Sequence, residues 1–127
     1  MTTQERIGTK RLVVGAHYGA LDFIVQRVTA VIMAVYTVVM ALALLFTSNL
    51  DFESWRHLFT FYFIGLPMGQ ILATLAFFSI AWHAWIGVRD IWMDYVKPTG
   101  VRLLLHVLTV LWLAGSVVYF VKTLWSL

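Results

Sequence analysis

Apolar positions run through this chain in long blocks, and the charged positions collect between them. A helix crossing a bilayer needs about 20 mostly apolar residues, because hydrocarbon offers no hydrogen-bond partner to an open backbone. Three segments meet that requirement. The first holds the charge-free stretch Val28 to Phe46, led by Asp22, Gln26 and Arg27, and predicts a span over about 23–46. The third is charge-free from Leu103 to Val121 and predicts a span over about 103–123. Between them, Leu58 to Val88 contains no Asp, Glu, Lys or Arg, which is longer than one untilted helix requires. Gly65, Pro67 and Gly69 divide that run. Proline is tolerated in the first turn of a helix and not in its interior, so the second span is expected over about 67–94, with Pro98 closing it.

The remainder of the long run carries Trp55, Leu58, Phe59, Tyr62, Phe63 and Leu66 at helical spacing after the acidic Asp51 and Glu53. This predicts a short interfacial helix in the first loop, with a lengthened second span as the alternative. The expected fold is therefore all-α and integral to a membrane, with three transmembrane helices in a single domain over residues 1–127.

Composition agrees with that pattern and narrows it. The chain is 61% hydrophobic and 12% charged, about half the charged fraction of an ordinary soluble domain, roughly 25%. A net charge of +3 is too small to form a nucleic-acid footprint and reads instead as topology. Arg6, Lys10 and Arg11 precede the first span, and Arg89, Lys97 and Arg102 stand between the second and third. Arg56 is alone in the first loop and Lys122 alone in the tail. The positive-inside rule then puts the N-terminus and the second loop in the cytoplasm. The polar N-terminus has no short apolar run ending in a small-residue cleavage site, so no cleaved signal peptide is expected. Without cysteine, disulfides, cysteine-held iron–sulfur clusters and covalent haem attachment are excluded. No phosphate loop, HExxH metal motif or GxSxG nucleophile turn is present.

Ionisable groups within spans are expensive, and each is a functional candidate. His83 stands in Phe-Phe-Ser-Ile-Ala-Trp-His-Ala-Trp-Ile-Gly, on a face with Ala76, Ser79, Gly87, Asp90 and Asp94. Small residues a turn to either side admit a flat macrocycle, with the imidazole as metal ligand, or admit close helix packing, with the imidazole hydrogen-bonded between helices. Both readings stand on the local pattern. Arg27 enters the first span at a depth matching that of His83 in the antiparallel second. That relation suits an iron-binding histidine and an arginine neutralising propionates, although an arginine near a helix end also snorkels to headgroups. Asp94 and Tyr95 follow His83 by about 17 Å of helix, near the cytoplasmic interface. A tyrosine hydroxyl there can donate to a quinone carbonyl beside a carboxylate that orients it, or can simply anchor the interface. His17, His57 and His106 are read as non-ligands; His106 is the main rival, since two histidines on two helices of one chain could hold a haem without a partner, but its place near Arg102 and the membrane surface favours a solvated group. The tryptophans, Trp82, Trp85 and Trp92 among them, are read as interface anchors or packing.

His83-Ala84-Trp85-Ile86-Gly87, then Asp94-Tyr95-Val96-Lys97-Pro98, with Asp22-Phe23 and Arg27-Val28-Thr29-Ala30 opening the first span, resembles the small hydrophobic membrane-anchor subunit, or cytochrome b small subunit, of bacterial succinate dehydrogenase, respiratory complex II. The resemblance takes in the three-span plan and most of the chain beyond the first twenty residues. It implies that His83 gives one axial ligand to a haem b shared with the sister cytochrome b anchor, and that Arg27 lies near the haem propionates. It further implies that Tyr95 contributes to a ubiquinone site, with Asp94 beside it. Partners implied are that sister cytochrome b subunit, an iron–sulfur subunit and a flavoprotein subunit, in the bacterial inner membrane and serving the respiratory chain and tricarboxylic acid cycle. The chain departs from enterobacterial relatives in having Leu21 rather than histidine before Asp22, so no propionate role passes to His17.

Three function classes follow. A subunit of a redox enzyme, non-catalytic on its own, is expected to be coloured by haem in its complex. A purely structural anchor without haem or quinone contacts is expected to be colourless. A proton or solute carrier through His83, Asp90 and Asp94 fits poorly, since these residues crowd one end of one helix.

Overall fold

In a computed structural model describing residues 16–127, the apolar blocks become helices. The helices are α1 (Ala16–Phe46), α2 (Phe52–Thr60), α3 (Met68–Tyr95) and α4 (Thr99–Trp125). Three of them, α1, α3 and α4, are long and apolar enough to cross a membrane. No strand occurs among the described residues beyond an isolated bridge between Phe63 and Leu66. Arg6, Lys10, Arg11 and the side chain of His17 lie outside the described part.

The long helices outrun their apolar cores. At about 1.5 Å per residue, the 31, 28 and 27 residues of α1, α3 and α4 exceed a hydrocarbon layer of about 30 Å. Apolarity marks only the part of a helix inside hydrocarbon, and the backbone continues its ladder where water replaces lipid. Thus α1 begins at Ala16, ahead of the charge-free stretch, and α4 begins at Thr99, directly after Pro98. The fixed φ of Pro98 suits a helix entrance, and its carbonyl accepts from the Arg102 N–H at 3.0 Å.

The first-loop helix is present but shorter than its apolar pattern. Asp51 caps α2, its carboxylate accepting from the Ser54 N–H at 2.8 Å, and these Ser54 hydrogen bonds hold the carboxyl below its usual pKa. The helix ends at Thr60, so Tyr62, Phe63 and Leu66 do not lie on it. Instead, Phe63 and Leu66 exchange two backbone hydrogen bonds, of 2.9 and 3.0 Å, around a two-residue turn. Ile64 and Gly65 take positive φ angles of 52° and 75° there. Glycine adopts that region freely, whereas for a β-branched residue it costs roughly 1–2 kcal/mol.

Helix α3 packs against each of the other three. Its entrance presses against the end of α2, where the Gly69 N–H donates to the Phe61 carbonyl at 3.0 Å. A Cβ on Gly69 would lie 2.6 Å from the Phe59 carbonyl oxygen, a backbone atom that cannot swing aside. Gly69→Ala should therefore lever α2 off α3 at a cost of about 1–3 kcal/mol, read as faster proteolysis of the first loop in membranes. Unchanged cleavage would show that α2 does not depend on this approach.

Polar links hold α4 to α3. Gln70 Nε2 donates to the Leu124 carbonyl at 3.2 Å, while the Trp92 and Trp125 indoles donate to Thr109 and Thr74, each at 3.1 Å. The Phe77 and Phe120 rings stack with centroids 4.0 Å apart. Trp92 and Trp125 thus serve packing. In hydrocarbon, such specific contacts must supply the association that water exclusion supplies elsewhere.

Candidate functional site

The start of α1 and the end of α3 are tied by charge. Arg89 lies within α3 and donates to Asp22 of α1 at 2.5 Å and to Asp90 at 3.2 Å. Counted by sequence among the loop cations, Arg89 instead joins two helices. Its signal was available, because Asp22 and Arg89 stand at matching depths on antiparallel spans.

Beside this pair opens a cleft of about 640 Å³ between α1 and α3, within the range of roughly 300–1,000 Å³ usual for cofactor sites. His83, Ile86 and Asp90 line it from α3, and Asp22, Gln26 and Arg27 from α1, with small Gly19 and Ala30 beside them. The structure therefore brings His83 and Arg27 to one cavity, as their depths predict. Arg27 lies over the Phe23 ring, 4.9 Å from its centroid, and is exposed. A guanidinium so placed is held by a neutral ring and keeps its donors for an anion.

His83 is half-buried, and its Nδ1 lies 3.1 Å from the Thr29 hydroxyl of α1. Ala76 and Ser79, on the same face toward the other end of α3, are buried, and the Ser79 hydroxyl donates to the Leu75 carbonyl. On that side of His83 the small residues serve helix packing. On the other, a Cβ placed on Gly87 would come into ordinary contact with Gln26 Nε2, 3.9 Å away. Gln26 Oε1 and Arg89 Nε are buried without a hydrogen-bond partner, an arrangement native proteins rarely leave unfilled.

Asp94 and Tyr95 are not in the cleft lining. Both are exposed at the end of α3, with Tyr95 80% accessible. His106 is not the solvated group its position suggested. Its Nδ1 donates to the Arg102 carbonyl at 2.6 Å, and its ring meets Trp85 edge-on with centroids 5.8 Å apart. Trp85 is two residues from His83, about 200° around the helix, so His83 faces α1 while Trp85 and His106 face each other across α3 and α4. The two histidines therefore occupy separate sides of α3. Among the described residues, no cluster of three or more His, Asp or Glu side chains could hold a metal ion.

Thr29 and Gln26 are contributors that residue type alone did not flag. A threonine in a span ordinarily bonds back to its own helix, and only its depth, level with His83, distinguishes Thr29.

Comparison with known proteins adds two findings. The Succinate dehydrogenase/Fumarate reductase transmembrane subunit family matches residues 1–121. The chain is also similar to the succinate dehydrogenase hydrophobic membrane anchor subunit of Coxiella burnetii (strain RSA 493 / Nine Mile phase I), at 36% identity over 107 residues, covering 84% of this chain and 89% of that protein.

Proposed function

The chain belongs to the succinate dehydrogenase/fumarate reductase transmembrane subunit family as a membrane-anchor subunit, and from that premise we propose that it shares a haem b with a second anchor and helps to form a ubiquinone-reduction site. The second anchor is the sister cytochrome b subunit, and the attached soluble parts are an iron–sulfur subunit and a flavoprotein subunit. The complex sits in the bacterial inner membrane, with the N-terminus and the α3–α4 loop on the cytoplasmic side.

The cleft carries this reading, because it joins one imidazole, one free guanidinium and small flanking residues from two helices. His83 would supply one axial ligand and Arg27 a counter-charge for a propionate. Among the described residues the cleft offers one metal-ligating imidazole, which suits the division of labour expected of paired anchors, each giving one ligand. When bound, the haem would supply a one-electron redox centre near the quinone. Arg89 and Asp22 hold the two walls of the cleft together.

Tyr95 and Asp94 lie at the same end of the molecule as the Arg89–Asp22 pair, exposed where α3 stops. In the assembled complex, the Tyr95 phenol would donate to a quinone carbonyl, and Asp94 would orient it or pass a proton. With no cysteine and no dinucleotide motif, this chain supplies neither clusters nor flavin. Succinate oxidation falls to its partners.

Purification of the complex through a tag on this chain tests the reading. Three co-purifying chains and a reduced b-type visible spectrum are expected. A colourless four-chain complex would reduce this protein to a structural anchor.

A further inference from the structure

Thr29, Thr74 and Thr109 repeat one arrangement. Each hydroxyl meets the carbonyl four residues earlier in its helix, Thr29 on Val25 at 2.8 Å, Thr74 on Gln70 at 2.7 Å and Thr109 on Leu105 at 2.7 Å. Each also meets a ring nitrogen of a neighbouring helix at 3.1 Å: His83 Nδ1, Trp125 Nε1 and Trp92 Nε1 respectively. A carbonyl only accepts, and threonine has a single proton. In each case the carbonyl is the nearer partner and takes the hydroxyl proton, which turns an oxygen lone pair toward the ring. For the two tryptophans the direction is beyond choice, since an indole nitrogen only donates.

Applied to His83, the same arrangement puts the proton on Nδ1 and leaves the lone pair on Nε2. Thr29 is 8% exposed, so little water competes for its lone pair. We infer that Thr29 is the positioning residue for His83: anchored by the Val25 carbonyl, it holds the imidazole as the Nδ1–H tautomer and leaves Nε2 as the nitrogen offered to iron. The inference rests on the reading of His83 as a haem ligand. Accepting from Nδ1–H also raises the basicity of Nε2, which favours the ferric over the ferrous state.

The test is made in the purified complex, comparing Thr29→Val, which keeps the branched shape without the hydroxyl, with Thr29→Ser, which keeps the hydroxyl. Thr29→Val should retain haem roughly 10–100-fold less tightly, and the haem it retains should have a raised midpoint potential and altered low-spin electron paramagnetic resonance g-values. Thr29→Ser should match the wild type in all three. Thr109→Val, which removes the same kind of link to Trp92, should leave the haem signals unmoved. Should Thr29→Val fail to assemble, Thr29→Ala carries the same comparison.

Haem affinity, potential and g-values unchanged in Thr29→Val would overturn the inference, as would equal impairment in Thr29→Ser. His83→Ala, run alongside, separates this failure from that of its premise. If His83→Ala keeps the b-type spectrum, His83 is not a ligand at all. If it loses the spectrum while Thr29→Val behaves as wild type, only the role of Thr29 falls.

Discussion

Replacing His83 with alanine should remove the b-type absorption of the purified complex while all four chains stay together. Both halves of that outcome follow from the surroundings of the imidazole. Loss of colour follows because, among the described residues, no other imidazole lines the cleft: His106 lies across α3 against Trp85, with its Nδ1 occupied by the Arg102 carbonyl. If His83 holds the haem, nothing else described in the cleft replaces it, so haem occupancy should fall to background. Survival of the complex follows because little of the folded structure hangs on the ring. Thr29 keeps its donor bond to Val25 when the imidazole goes, so that no buried proton is stranded. Helices α1 and α3 remain tied by Arg89 and Asp22. An unchanged reduced-minus-oxidised spectrum would remove His83 from the iron. Loss of all four chains together would instead make it a packing residue.

The helices were legible because membrane insertion writes itself in sequence as uninterrupted apolarity, and the turns because proline and glycine interrupt it. Val28 to Phe46 could not be a loop in lipid, and Pro67 could not lie inside a helix. Helix ends were less legible for the same reason: beyond the hydrocarbon a helix needs no apolar residue, so nothing in Ala16 to Leu21 announces that α1 has begun. The first loop misled in the opposite direction. Tyr62, Phe63 and Leu66 continue the apolar period of α2, but the chain leaves the helix after Thr60 and turns through Ile64 and Gly65 to deliver Gly69 against Phe59. Periodicity registers which faces are apolar, and the turn is dictated by a contact between segments that periodicity does not see.

The site divides along similar lines. His83 and Arg27 stood out because ionisable groups in apolar surroundings are rare, and matching depth was enough to put them in one cleft. Thr29 and Arg89 did not stand out. A threonine in a span is unremarkable until a ring nitrogen is found 3.1 Å away, and an arginine near a helix end looks like a topology marker until Asp22 is found beside it. Both roles come from pairing between α1 and α3, a relation between helices that neither stretch of sequence contains alone.

Tyr95→Phe should slow succinate-to-ubiquinone transfer by about 100-fold, toward the low end of the 10²–10⁴ range typical of proton donation by a positioned side chain. Dye-coupled succinate oxidation, which bypasses the quinone site, should be unchanged. The substitution removes one oxygen from a side chain that is 80% accessible in this protein, so it opens no cavity and strands no buried partner within the subunit. Whatever is lost therefore belongs to what the hydroxyl meets in the assembled complex. The position supports the assignment: Tyr95 is the last residue of α3, with Asp94 before it and Lys97-Pro98 turning the chain away. A phenol there stands at the edge of the membrane, where a quinone headgroup in the bilayer can approach and water can resupply a proton. An interfacial anchor would behave differently, since phenylalanine retains nearly all the ring and should leave both activities near wild type. Equal loss of quinone and dye activity would point to disturbed assembly. Only loss confined to quinone transfer assigns the hydroxyl to the quinone.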